Sequence, residues 1–263
     1  MLIACWSVKG GSGTTVVAAA LALLLGRSVS EGAVSEGAVS EGVVLVDLAG
    51  DIPSVLGLAE PSGPGLIEWL AAGPEVASDA LSRLVLPAGA GGGTSLRLLA
   101  AGGGRSPSGT YSGDRPDADT WAVSRAPSAG AGQRLSAALA RLPASSVVVD
   151  CGSVIGSHRV GDLSRGRDDL ATEVAGSAGL SLLVLRPCYL ALRRALAAPI
   201  RPSGVVLIEE PGRALRADDV ESVLGVPVRA TIPWDPAVAR AVDAGLLATR
   251  LPRPLARALE AAA

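Results

Sequence analysis

The run Val8-Lys9-Gly10-Gly11-Ser12-Gly13-Thr14-Thr15 holds the only lysine of the chain and crowds glycine at positions 10, 11 and 13. Glycine at this density lets backbone approach an anion closely, because no Cβ stands in the way. Leu2 to Trp6 precedes the run and reads as a strand; Val16 to Leu25 follows it and reads as a buried helix. Strand, glycine turn and helix together can cradle phosphate on backbone N–H groups and a helix N-terminus. The ordinary phosphate loop is G-x-x-x-x-G-K-[ST]. Here Val8 stands at its first glycine and Thr14 at the lysine that reaches the β- and γ-phosphates. Thr15 stands where the motif places its Mg²⁺-binding hydroxyl. Taken alone, the run is also compatible with a tight strand–helix turn.

Two acidic strand ends accompany the loop. Val43-Val44-Leu45-Val46-Asp47 is an apolar run closed by a carboxylate, and Asp51 follows after Leu48-Ala49-Gly50. An acid so placed can help hold Mg²⁺ or orient a water; it can equally cap the next element. Val147-Val148-Val149-Asp150-Cys151-Gly152 repeats the pattern. In phosphate-loop enzymes a carboxylate at such a strand end holds Mg²⁺.

These residues need a scaffold that brings strand ends together. Strands are expected over Leu2–Trp6, Val43–Asp47, Ser95–Leu99, Ser146–Asp150, Leu180–Leu185, Gly204–Ile208 and Val228–Ile232. Helices are expected over Thr15–Gly26, Pro64–Ala72 with Trp69 on its apolar face, Glu75–Leu84, Gln133–Leu142, up to about Ala175, Tyr189–Ala197, Ala217–Leu224, Pro236–Ala244 and Pro254–Ala262. The alternation predicts an α/β fold: a doubly wound, mostly parallel sheet flanked by helices. Ligands of such sheets bind beyond the carboxyl ends of the strands, so the ends at Trp6, Asp47 and Asp150 should share one crevice.

One domain spanning residues 1–263 is expected, with flexible insertions near 28–42 and 101–133. The first contains the tandem Ser-Glu-Gly-Ala-Val, Ser-Glu-Gly-Ala-Val, Ser-Glu-Gly-Val-Val over residues 30–44, too short for a solenoid and read as an expanded surface loop. The second is rich in Gly, Ser, Pro and Ala.

Composition excludes some classes. Hydrophobic residues make up 49% and aromatic residues only 2%, with no Phe, so the core must be built from Val, Leu, Ile and Ala. A net charge of −2 gives no general support for binding DNA or an anionic membrane. Cys5, Cys151 and Cys188 have neither metal nor disulfide spacing and lie in or beside apolar runs. Reduced, buried thiols point to the cytoplasm. Val16 to Leu25 is about half the length of a membrane span, and its glycine turn argues against a signal peptide. The single histidine, His158, reads as a solvated loop residue, and Arg193, Arg194 and Arg201 as a solvated helix face.

In order along the chain, the loop, Asp47 to Leu58, Val149-Asp150-Cys151-Gly152 and the tail from Leu224 through Ile232-Pro233-Trp234-Asp235-Pro236 to Gly245 resemble the MinD/ParA family of dimeric ATPases. The family's deviant loop is K-G-G-x-G-K-[ST]. The resemblance implies a phosphate-loop fold, ATP and Mg²⁺ as cofactors, and a homodimer with the nucleotide sandwiched between subunits. It makes Gly10, Gly11, Ser12, Gly13, Thr14 and Thr15 the nucleotide-binding residues, and Thr15, Asp47 and Asp150 the metal site. Lys9, Asp51 and Asp150 are the implied catalytic residues, with Lys9 reaching the partner's phosphates. It also implies positioning of a cargo in division, chromosome partition or an envelope or secretion apparatus.

Three departures weaken hydrolysis. Thr14 replaces the lysine that binds phosphate in cis. Ala49 stands where the family places the acid that supports water attack, leaving Asp51 two residues further on. Glu209 and Glu210 stand where it commonly places an adenine-reading Asn. Loss of one preorganised charge-stabilising donor costs roughly 3–4 kcal/mol of transition-state stabilisation. The expected function is therefore an ATP-binding switch with weak turnover. The alternatives are a catalytically inactive scaffold acting through protein partners and, with no acid–base pair to support it, a metabolic enzyme for another anion.

Overall fold

Successive residues of strand β1 (Leu2–Ser7) serve opposite faces of a sheet: Ile3 and Cys5 enter one hydrophobic cluster, Ala4 and Trp6 the other. Both faces are covered, which is why the strand reads as an unbroken apolar run. A computed structural model describes residues 1–36, 42–77, 79–88, 95–102, 130–154, 165–260 and 262. Most of the 101–133 excursion and His158 lie outside them.

The remaining strands are β2 (Val43–Asp47), β3 (Leu86–Pro87), β4 (Leu96–Leu99), β5 (Ser146–Ser153), β6 (Leu180–Leu185), β7 (Gly204–Glu209) and β8 (Val228–Pro233). They form one eight-stranded sheet in the order β3-β4-β2-β5-β1-β6-β7-β8. Every pairing is parallel except the short β3 edge, which runs antiparallel to β4. Helix α1 (Thr14–Glu36) packs on one face with α2 (Ile52–Leu56) and the last helix of the chain. On the other face lie α3 (Leu66–Ala71), α4 (Ala80–Arg83), α5 (Ala131–Leu139), α6 (Arg165–Ser177), α7 (Tyr189–Leu196) and α8 (Ala217–Leu224). Helices α9 (Pro236–Asp243) and α10 (Arg253–Glu260) close the described chain, with α10 against α1. This is the doubly wound α/β architecture expected from the alternation of elements.

The core is aliphatic, as the composition requires. Its one fully buried aromatic among the described residues is Trp6, whose indole Nε1–H donates to Ser181 Oγ at 2.9 Å. Trp69 is also buried and packs under the Arg134 guanidinium, which donates to the carbonyls of Gly73 and Leu70 and so ties α5 to α3. No helix among the described residues is long and apolar enough to cross a membrane.

Several boundaries differ from expectation. The surface loop expected near 28–42 does not begin at residue 28: α1 runs on to Glu36, and only 37–41 lie outside the described residues. Ser28 and Ser30 donate to the carbonyls of Leu24 and Gly26, and Ser30 Oγ also meets Ser95, at the foot of β4. That tertiary anchor offsets part of the roughly 1 kcal/mol that a helical glycine costs. The Glu75–Leu84 helix contracts to α4, and α2 and β3 were not anticipated. β5 continues through Asp150 to Ser153 rather than ending at the acid.

Candidate functional site

The sheet reverses its winding at its centre. β1 lies between β5 and β6, with β2 and β4 beyond β5 on one side and β7 and β8 beyond β6 on the other. The crevice of a doubly wound sheet lies at that reversal, beyond the carboxyl ends of the strands. The segment Val8–Gly13 leaves β1 there and turns directly into α1.

The loop is held from below and open above. Val8 is buried and Lys9, Gly10 and Gly11 are exposed. The Ser12 hydroxyl donates to the Lys9 carbonyl at 2.7 Å and closes the turn. Gly11 and Gly13 have φ of 75° and 88°, a region that other residues enter only with strain. A Cβ built on Gly10, Gly11 or Gly13 would meet no atom within 4 Å, so the space over the loop is clear. The first N–H groups of an α-helix have no carbonyl a turn earlier to receive them, and α1 begins directly after this loop. An open cradle of this kind fits a phosphate group. Thr14 is buried at the first turn of α1 and Thr15 is half-buried beside it.

Ser7, which the motif does not include, braces the loop against β5. Its buried hydroxyl lies 3.2 Å from the Lys9 carbonyl and 3.3 Å from the Gly152 carbonyl, and its own carbonyl accepts the Val154 N–H. Between Cys5↔Asp150 and Ser7↔Ser153 the pairing slips by one residue, so β5 carries a bulge. Gly152, with φ of 63°, supplies the turn, and its N–H donates to Asp150 Oδ1 at 3.0 Å. The bulge re-aims the strand at the acid, as bulges beside functional sites do.

Asp47 and Asp150 sit in register on adjacent strands, both buried. Asp47 Oδ1 accepts the Gly50 N–H at 2.6 Å and Oδ2 accepts the Ile52 N–H at 3.1 Å, which shapes the turn into α2. Burial first, and then the neighbouring Asp150 charge, push its carboxyl up to about 7, against those two hydrogen bonds. No cluster of three or more acidic, His or Cys side chains that could hold a metal ion by itself is formed among the described residues. Asp51 is exposed at the N-terminus of α2 with no side-chain capping bond. Ala49 is half-buried beside Gly152.

The other half of the crevice is ionic. At the end of β7, Glu209 pairs with Arg216 at 2.9 Å, and Glu210, just past it, with Arg213 at 2.6 Å and Arg186 at 3.2 Å. Arg186, just past β6, stacks its guanidinium over Trp234, just past β8, at 4.7 Å from the ring centroid. Of this group the sequence singles out Glu209, Glu210 and the Trp234 segment but not Arg186, whose one signal is a basic residue directly after a buried strand. Cys5 and Cys151 are fully buried free thiols raised above the usual range by burial and by the Asp150 charge, hence unreactive.

No protein-family model matches the chain, and no curated protein matches it in sequence. Solved structures do match. A ParA family ATPase from Chlorobium tepidum superposes with a TM-score of 0.65 at 19% identity, covering 98% of this chain and 96% of that one. The MinD cell division protein of Aquifex aeolicus gives 0.63 at 16% identity, covering 99% and 93%. The septum site-determining protein MinD of Pyrococcus horikoshii, solved with Mg-ADP, gives 0.60 at 19% identity, covering 99% and 93%. The fold of this chain is that of the ParA and MinD ATPases.

Proposed function

We propose that this chain is a divergent ParA/MinD-like switch that binds ATP with Mg²⁺, dimerises on it and positions a cellular cargo, with weak hydrolysis. The observation that carries the reading is the open glycine turn between β1 and α1, set at the reversal of the sheet beside buried Asp150. The MinD neighbour from Pyrococcus horikoshii holds Mg-ADP, which supports the same ligand class here.

In this reading the N–H groups of residues 10 to 15 bind the phosphates, and bound Mg²⁺ neutralises charge between them. Thr15 and Asp150 hold the cation, Asp150 through water. Asp47 holds the Gly50–Ile52 turn in place beside it. Lys9, exposed at the loop tip, is free to reach a second subunit. Asp51, exposed at the head of α2, is the remaining acid for orienting water. Three free thiols support a reducing cytoplasm.

A scaffold without turnover is favoured by two specific features: Thr14 is short and uncharged where a cation belongs, and Ala49 carries no acid. Phosphate release abolished by Asp150→Ala would exclude that second reading. The first reading is tested by calorimetric titration with Mg-ATP alongside sedimentation. Binding accompanied by a shift to dimer, with the shift lost in Lys9→Ala, is the expected result. Folded protein that gives neither heat nor dimer would overturn it.

A further inference from the structure

Arg186 continues β6, the strand beside β1. Their register runs from Ile3↔Leu180 to Trp6↔Leu183, and the two chain segments leave the sheet at the same end, one into the glycine loop and the other into Arg186. Adjacent strands lie about 4.8 Å apart, so Arg186 follows the strand that neighbours the one feeding the open cradle. Its guanidinium is turned toward the ends of β7 and β8, where two contacts hold it incompletely. The Glu210 contact is long for a charged pair, at 3.2 Å. The Trp234 ring beneath it is 45% exposed. Nε is buried with no hydrogen-bond partner, a costly state for a donor.

Glu210 does not depend on Arg186. Its other oxygen accepts Arg213 Nε at 2.7 Å and lies 2.6 Å from Arg213 Nη2. Release of Arg186 therefore strands no carboxylate, and an incoming anion would supply acceptors for a fork that is only partly used. Guanidinium is suited to that task because its planar donors match phosphate oxygens.

We propose that Arg186 is the in-cis phosphate cation of this site, standing in for the lysine that Thr14 replaces: stored on Glu210 and Trp234 without ligand, and drawn onto the phosphates with it. The proposal rests on the nucleotide-binding reading above. It makes Trp234 a reporter, since a cation over an indole face leaves when the anion arrives.

The test is calorimetric titration of the full chain with Mg-ATP, magnesium tripolyphosphate and adenosine, with the Trp234 signal read as wild type minus Trp234→Phe. Arg186→Gln is expected to weaken Mg-ATP and tripolyphosphate by about tenfold or more and to leave adenosine unchanged. Arg186→Lys should recover part of the loss. Glu210→Gln, which removes the competing carboxylate, should tighten tripolyphosphate in the wild-type background and not when combined with Arg186→Gln, whereas simple loss of a negative charge would tighten both. The Trp234 signal should change on tripolyphosphate addition in wild type and not in Arg186→Gln. Wild-type binding that neither substitution moves, with a silent Trp234, overturns the role of Arg186 alone. A wild type that binds no phosphate ligand overturns the nucleotide reading and this inference with it.

Discussion

Asp47 and Asp150 face each other across the β2–β5 pair, Cα partners in the same register, each with no more than 1% of its surface exposed. Two carboxylates placed side by side in an apolar sheet cannot both ionise cheaply. Asp47 carries the consequence: burial first, and the Asp150 charge second, raise its carboxyl from 3.8 to about 7.

That shift sets a pH dependence. Between about 4 and 7 the folded protein holds a proton on Asp47 that the unfolded chain has released. The stabilisation is complete below the unfolded value and is lost as pH rises through about 7, at up to about 1.4 kcal/mol per pH unit. Thermal melts in chelator-containing buffer from pH 5 to 8 are expected to fall more steeply for wild type than for Asp47→Asn. Parallel curves would show that Asp47 does not titrate in this range.

Gly152 links the acid to the loop. Its φ of 63° and its place 3.2 Å from the Ala49 Cβ, measured from a built Cβ, leave little room for a side chain. Gly152→Ala is expected to cost about 1–2 kcal/mol from the left-handed backbone alone. It should also loosen the Ser7 brace, so Mg-ATP affinity should drop by more than melting does. A variant that melts lower but binds unchanged would separate the bulge from the site.

Away from the crevice, Gly57 at the end of α2 meets the backbone of Gly245 after α9. A Cβ on Gly57 would overlap the Gly245 carbonyl oxygen, and φ is 69°. Clash and strain together predict a loss of about 2–4 kcal/mol for Gly57→Ala in a denaturant titration. Since α2 begins at the turn that Asp47 caps, the same variant should lose part of its nucleotide affinity.

What was legible in the sequence was what is local. The strands β1, β2 and β5 to β7 are apolar runs bounded by turn residues, because both their faces are buried, while the edge strand β8 shows the alternation of a strand buried on one face. The phosphate cradle was legible because its glycines are contiguous. The end of α1 was not, because Ser30 gains its anchor from Ser95, far along the chain. The β5 bulge was not, because it exists only through the pairing of Ser7 with Ser153. The Arg186–Glu210–Trp234 group was not, because its members follow three separate strands and meet only when β6, β7 and β8 lie side by side.

Thr14 offers the most direct way to ask what the site lacks. It sits buried at the first turn of α1, under an open cradle, where the ordinary loop carries lysine. Lysine is a good helix former, and its long stem can lie along apolar surface while the ammonium emerges into the crevice. Thr14→Lys is therefore expected to fold and to bind Mg-ATP about tenfold more tightly, since a charged hydrogen bond to phosphate contributes about 1.5–3 kcal/mol. Hydrolysis is expected to rise less than affinity, because Ala49 still supplies no acid to orient water. The check pairs calorimetry with a phosphate-release assay on Thr14→Lys and on Thr14→Lys combined with Ala49→Asp. Tighter binding in the single variant, with release appearing only in the double, would assign the two losses separately: one to holding the nucleotide, the other to cleaving it. Affinity unchanged by the added lysine would mean that the cradle is not a phosphate site, whatever its backbone resembles.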